Sequence, residues 1–161
     1  MANYSIRKAA LAEIETAYSI IEEYYEAAHV VARDSKKEFG AAYFGERSGI
    51  WLAHLPDSGK EKIVGCIALR EWHHAERSGE IKRMYVQPAY RGLGIAQALL
   101  NALESFASAA GYKWLYLDSA PGMDAAVRLY QKNDYDPCPR YNDNPQAVIF
   151  LCKGLVDASK S

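Results

Sequence analysis

Glu80-Ile81-Lys82-Arg83-Met84-Tyr85-Val86-Gln87-Pro88-Ala89-Tyr90-Arg91-Gly92-Leu93-Gly94-Ile95-Ala96 changes its period partway along. Glu80 to Val86 reads as a strand, and Gln87-Pro88-Ala89-Tyr90 breaks it. Two glycines then open an apolar stripe at helical spacing, Ile95, Leu99, Leu103, Phe106 and Ala110, which Gly111 stops. The strand alternation is imperfect, because Arg83 shares a face with Ile81 and Tyr85. A bulge, or a strand that leaves its neighbour partway, accounts for that. The glycine-rich helix start brings together amides without helical acceptors, the positive end of the helix dipole and main chain open to close approach. Such a place holds phosphate or pyrophosphate, with Arg91 adding charge at the rim. A glycine-rich turn with no ligand is the reading that spacing alone leaves open. A P-loop is absent. A dinucleotide fingerprint lacks its third glycine, and Pro88 to Arg91 separate the motif from the strand.

Outward from this run, a strand at Tyr4–Arg7 precedes a helix over Ala10–Ala28, with Ile14, Ala17, Ile21, Tyr24 and Ala28 on one face. Glu13, Glu15, Glu22, Glu23 and Glu26 form its solvated face, which could also border a pocket for a cationic amine or basic peptide. A short helix is expected around Ser35 to Tyr43. Gly49–Ala53 and Ile63–Leu69 read as a hairpin around the turn residues Pro56-Asp57-Ser58-Gly59. After the central helix come a buried strand at Trp114–Leu117, a helix from Pro121 to near Asp134, and a strand at Gln146–Lys153. Hairpins mixed with strand–helix–strand crossovers argue for an α/β chain whose sheet is mixed and mostly antiparallel, flanked by helices.

At 161 residues the chain is expected to be one domain, 1–161, with a frayed tail over 155–161. Nineteen basic residues against twenty acidic ones give a net charge of −1, so any anion site is local. No basic-aromatic stripe of the nucleic-acid type and no membrane-length apolar run is visible, so neither nucleic acid nor a membrane is an expected partner. Cys66, Cys138 and Cys152 are an odd, scattered set without C-x-x-C spacing, which suits a reducing compartment and gives no zinc site. With no signal-peptide pattern at the start, the expected address is the cytoplasm. His73 and His74 are adjacent, so their side chains diverge and no metal is expected there. Trp51, Trp72 and Trp114 are read as core or core-edge residues.

Arg91-Gly92-Leu93-Gly94-Ile95-Ala96 resembles the acyl-CoA signature of the GNAT family of N-acetyltransferases, (Q/R)-x-x-G-x-(G/A), matched at Arg91, Gly94 and Ala96. Glu80 to Pro88 resembles the family's fourth strand. Ala126-Val127-Arg128-Leu129-Tyr130-Gln131-Lys132-Asn133-Asp134-Tyr135 resembles its later helix, which normally ends L-Y-x-x-x-G-F. The likeness is strongest over residues 63–153. It implies that the amides around Arg91, Gly92, Leu93, Gly94, Ile95 and Ala96 hold the pyrophosphate of acetyl-CoA. The main chain of Met84, Tyr85 and Val86 would pair with the pantetheine arm, and an N–H there would polarise the acetyl carbonyl.

The resemblance also implies that Tyr130 donates a proton to the departing thiolate; from the residues alone, a core tyrosine on an apolar helix face is the leading reading. Glu80 shares parity with Met84 and Val86 and is the candidate base for the amine. The alternative is a surface carboxylate paired with Lys82 or Arg83. Met123 stands where the family often has Asn, and Asp134 stands for the Gly of the G-F pair, a substitution the left-handed conformation tolerates. Tyr141-Asn142-Asp143-Asn144-Pro145 reads as a turn, or as a shaper of the acceptor pocket. The implied activity is acetyl transfer to a primary amine, of a small molecule or a peptide, by direct attack in a ternary complex with no covalent cysteine. A non-catalytic acyl-CoA sensor and a nucleotide-binding domain sharing only the anion loop are the competing readings. Homodimers are common in the family, and nothing in this sequence demonstrates one.

Overall fold

A computed structural model describes residues 3–73 and 75–155. The strands are β1 Ser5–Lys8, β2 Gly49–Asp57, β3 Lys60–Trp72, β4 Ser78–Val86, β5 Trp114–Ser119, β6 Asp136–Pro137 and β7 Ile149–Gly154. The helices are α1 Ile14–Ala27, α2 Lys36–Tyr43, α3 Ile95–Ala109 and α4 Asp124–Lys132. The seven strands form one sheet in the order β1-β2-β3-β4-β5-β7-β6. Every pairing is antiparallel except β4 with β5. The mixed, mostly antiparallel sheet flanked by helices is the one expected from the pattern.

The sheet is covered on both faces, which is why β2 is buried without a break from Gly49 to His54. Ile50 and Leu52 pack with Ile21, Tyr25 and Phe39 of α1 and α2. Trp51 and Ala53 pack with Leu99 and Leu103 of α3. The same two cores expose the irregularity of β4. Ile81 belongs to the α3 side and Tyr85 to the α1 side, although residues four apart on a regular strand share a face. Between them Arg83 is left-handed at φ 61°, and the register against β3 shifts there. One inserted residue reverses the facing of everything after it. Leaving the neighbour also occurs: β4 pairs with β5 only over Ser78–Glu80 against Trp114–Tyr116. Past Glu80 the two strands part, and the β5-facing edge of β4 is left without a strand.

Several boundaries differ from the sequence reading. The β2–β3 hairpin closes on Ser58 and Gly59 alone, both at positive φ, as a two-residue turn of this twist requires; Pro56 and Asp57 pair with Glu61 and Lys60 inside the ladder. Pro121 lies outside α4, because Gly122 is left-handed at φ 85° and the helix begins only at Asp124. Trp114 is 43 % exposed, so that strand is buried only from Leu115 inward. β7 begins at Ile149 rather than Gln146, whose side chain instead bonds Val31 N–H and the His29 carbonyl. Ser35 caps α2 reciprocally with Glu38. Leu155 is tied to the Lys113 carbonyl at 2.8 Å; the rest of the expected frayed tail, 156–161, and His74 lie outside the described residues.

Candidate active site

The β4–α3 connection is a short 3-10 turn, Pro88–Tyr90, followed by Gly92 and Gly94 at φ 80° and 84°. Only glycine adopts two such values without strain. The first intrahelical bond is Ala98 N–H to the Gly94 carbonyl at 3.1 Å, so the amides from Gly92 to Gln97 have no helical acceptor. Arg91 donates its Nε to the Val86 carbonyl at 2.9 Å and thereby folds the loop against the end of β4. A cleft of about 460 Å³ runs along this loop, lined by Met84, Tyr85, Val86, Arg91, Gly92, Gly94, Ile95 and Ala96 on one side. Ala125, Ala126, Leu129 and Lys132 of α4 line the other. Leu93 is 45 % exposed and is not part of the lining. Gln97 and Asn133 exchange side-chain hydrogen bonds at 2.8 and 2.9 Å, which clamps α4 to α3 across the cleft.

A second cavity, of about 440 Å³, lies on the other side of the split between β4 and β5. It takes Tyr24 from α1 and Ala28 just after it, Arg70 and Trp72 from β3, Ile81, Lys82, Arg83 and Met84 from β4, Leu117 and Asp118 from β5, Tyr130 from α4, and Asn142 to Gln146 from the β6–β7 connection. Four consecutive residues of β4, Ile81 to Met84, border one cavity because of the left-handed Arg83, a conformation that costs about 1–3 kcal/mol for a non-glycine. Arg83 is held by Asp34 at 3.2 Å and lies 5.0 Å from the Tyr25 ring centre. The two spaces meet at Met84, Met123 and Ala126, which border both.

The sequence model of the Acetyltransferase (GNAT) family matches residues 14–135. The chain belongs to the GNAT acetyltransferase family. An uncharacterized N-acetyltransferase of Schizosaccharomyces pombe is 29 % identical over 109 residues, 67 % of this chain and 65 % of that protein. The matches to named relatives span about a third to two thirds of those relatives' length. A GNAT-family acetyltransferase from Staphylococcus aureus superposes at TM-score 0.79 with 18 % identity, over 96 % of this chain and all of that one. The PaiA N-acetyltransferase from Thermoplasma acidophilum, solved with coenzyme A, superposes at 0.69 with 16 % identity, over 95 % of this chain and 99 % of that one.

In this GNAT domain Tyr130 is 5 % exposed and borders the second cavity near the seam. Its ring packs against Tyr135 at 5.4 Å. Burial, with the nearby charges of Tyr24 and Glu104, pushes its phenol well above the ordinary range. Glu80 is not at the surface. It is fully buried, because it sits on the central strand where β3, β4 and β5 are all paired. Its Oε1 accepts from Arg70 Nε at 2.9 Å, and its Oε2 accepts from Tyr141 OH at 2.8 Å and Asn142 Nδ2 at 3.1 Å. Lys82 lies 3.9 Å from Glu80 Oε2 and Arg83 pairs with Asp34, so of the alternative reading the ion pair with Lys82 is present while the surface placement is not. Tyr141 and Asn142 are thus more than a turn: they tie the wall of the second cavity to the sheet. The glutamates of α1 stay out of the cavity lining. Asp34, Arg70 and Asp118 were not singled out in the sequence, and no local spacing marks them. Among the described residues no group of three or more His, Cys, Asp or Glu side chains could hold a metal, and no helix is long and apolar enough to cross a membrane.

Proposed function

We propose that this GNAT domain transfers an acetyl group from acetyl-CoA to a primary amine of a small molecule or peptide, by direct attack within a ternary complex. The observation that carries the reading is the seam at Met84, Met123 and Ala126, where a backbone-lined cleft opens into a side-chain-lined cavity beside Tyr130. The residues present fit acetyl-CoA. The amides of Gly92 to Gln97 suit a pyrophosphate. The open edge of β4 at Met84, Tyr85 and Val86 offers main-chain partners to an amide-bearing arm. Met123 replaces a polar side chain at the cleft wall, so the arm is held there by packing and main chain. When bound, acetyl-CoA supplies the acetyl group as a thioester.

A backbone N–H in the Met84–Val86 segment donates to the carbonyl oxygen on which charge develops, as in an oxyanion hole. Tyr130 keeps its proton at neutral pH and gives it to the departing sulfur. Glu80, with both oxygens engaged, acts on the amine through the network of Tyr141 and Asn142 rather than by facing the cavity directly. Free thiols at Cys66, Cys138 and Cys152 fit a cytoplasmic setting and take no covalent part. A sensor that only bound acetyl-CoA would have no use for the second cavity. Calorimetric titration with acetyl-CoA, followed by thiol release against an amine panel, tests the reading. Binding with amine-dependent release is expected; binding without release on any amine overturns it.

A further inference from the structure

We propose that the acceptor carries a carboxylate beside its amine, and that Lys82 and Arg83 read that carboxylate; the proposal rests on the acetyltransferase reading above. The argument begins with hydrogen-bond capacity rather than net charge. The acids in and behind the acceptor cavity are spoken for. Asp118 Oδ2 accepts from Asn142 at 2.7 Å and Asn144 at 3.2 Å, and Glu80 is saturated by Arg70, Tyr141 and Asn142. Asp34 is occupied by Arg83 Nη2, and Asp143 is exposed at the rim, where water serves it.

The cations on β4 keep donors in hand, although Arg83 already gives Nη2 to Asp34. Arg83 is 10 % exposed, and its Nε is buried with no hydrogen-bond partner among the described residues. Lys82 is 12 % exposed, and its ammonium has carboxylates only at 3.7 and 3.9 Å, beyond hydrogen-bond distance. Buried donors left unmade are costly, so an acceptor atom belongs on this wall when the cavity is filled. The β4 bulge supplies a second, independent observation. A regular strand would send Lys82 and Arg83 to opposite faces; left-handed Arg83 brings both to the cavity, one residue from Met84 at the seam. A carboxylate is the group that takes donors from a guanidinium and an ammonium together. The rest of the wall is mixed, with Val30, Leu117 and Pro145 beside Ser119, Asn144 and Gln146. The chemical class is therefore an α-amino acid or similar amino carboxylate.

The test compares α-amino acids with their carboxamides, leucine against leucinamide first, as acceptors with acetyl-CoA. The carboxylate form is expected to have kcat/KM about tenfold or more above the amide, the size of a lost charge-assisted hydrogen bond. The ratio should fall toward one in Lys82→Met and in the charge-balanced Arg83→Gln/Asp34→Asn double variant. A ratio does not move when a variant merely folds less well. Equal or better turnover of the amides overturns the proposal and leaves acetyl transfer standing. Calorimetry with N-acetylleucine and N-acetylleucinamide, in the presence of coenzyme A, reads the same preference without chemistry. Preferential binding of N-acetylleucine with no thiol release upholds the carboxylate site and sinks the transfer reading. No preference in binding overturns the carboxylate site.

Discussion

The cleft and the cavity are close in volume and share three residues, yet they are made of different material. The cofactor cleft is made of main chain: two left-handed glycines, a run of amides without helical acceptors, and an open strand edge. Its residues come from one stretch, Met84 to Gln97, with one face of α4 opposite. The cavity proposed for the acceptor is lined from six separate parts of the chain, held by bonds such as Tyr141 to Glu80 across 61 residues. A site built from main chain depends little on which side chains stand there. A ligand that differs between relatives has to be read by side chains. The contrast predicts that damage on one side leaves the other side's substrate unaffected.

The largest effect should come from filling the backbone cradle. Gly94→Trp places a side chain at φ 84°, where a non-glycine costs about 1–3 kcal/mol, and sets an indole in the cleft, so acetyl-CoA affinity should fall about a hundredfold or more. The nearest contact to an added Cβ is Tyr4 Oη at 3.4 Å, so the fold itself should survive. Calorimetry and circular dichroism check both halves; retained affinity would remove the amide cradle from the account.

Next is the seam. Tyr130→Phe should lower kcat about a hundredfold while the KM for acetyl-CoA stays within a few-fold. The sign of the pH dependence follows from burial. The acid form is the active one, and the phenol is held above its ordinary value of about 10, so this group puts no alkaline limb on kcat through pH 9. An unchanged kcat in the variant would return Tyr130 to the core as packing alone.

Tyr141→Phe tests the side-chain half. It removes one charge-assisted bond from a fully buried carboxylate, worth about 1.5–3 kcal/mol of stability, and should raise the acceptor KM while leaving acetyl-CoA affinity alone. The urea midpoint and the two KM values decide it; a matching loss of acetyl-CoA affinity would break the separation between the two sides.

How far each half could be read from sequence follows the same division. Local features were legible because their causes are local. Two glycines before an apolar stripe mark a loop and a helix, and the broken alternation at Arg83 marks the bulge that the structure contains. Where local signals misled, a neighbouring residue outvoted them. Pro121 is a good first helical residue, but Gly122 after it turns the chain away. Glu80 between charged neighbours looks solvated, and only the pairing of β4 on both edges, set by strands far along the chain, buries it. The Arg83–Asp34 pair spans 49 residues, and Asn142 reaches Asp118 across 24; no periodicity encodes either contact.

The smallest effect concerns the helix end that holds Tyr130 between the two sides. Asp134 is left-handed at φ 71°, in the position where glycine usually ends a helix. Its N–H donates to Gln131 and the next N–H, of Tyr135, donates to the carbonyl of Tyr130, at 3.2 and 3.1 Å. The ring of Tyr135 then closes on that of Tyr130, the apolar contact that accompanies this kind of stop. Asp134→Gly relieves a left-handed strain of about 1–2 kcal/mol. It also frees the unfolded chain, which takes back about 0.4–1 kcal/mol. The net should be a gain of no more than about 1.6 kcal/mol, visible as a small rise in Tm, with kcat unchanged. A changed kcat would mean that the aspartate side chain, and not only the backbone turn, sets where the Tyr130 hydroxyl sits. A lower Tm would mean that the unfolded-state term outweighs the strain.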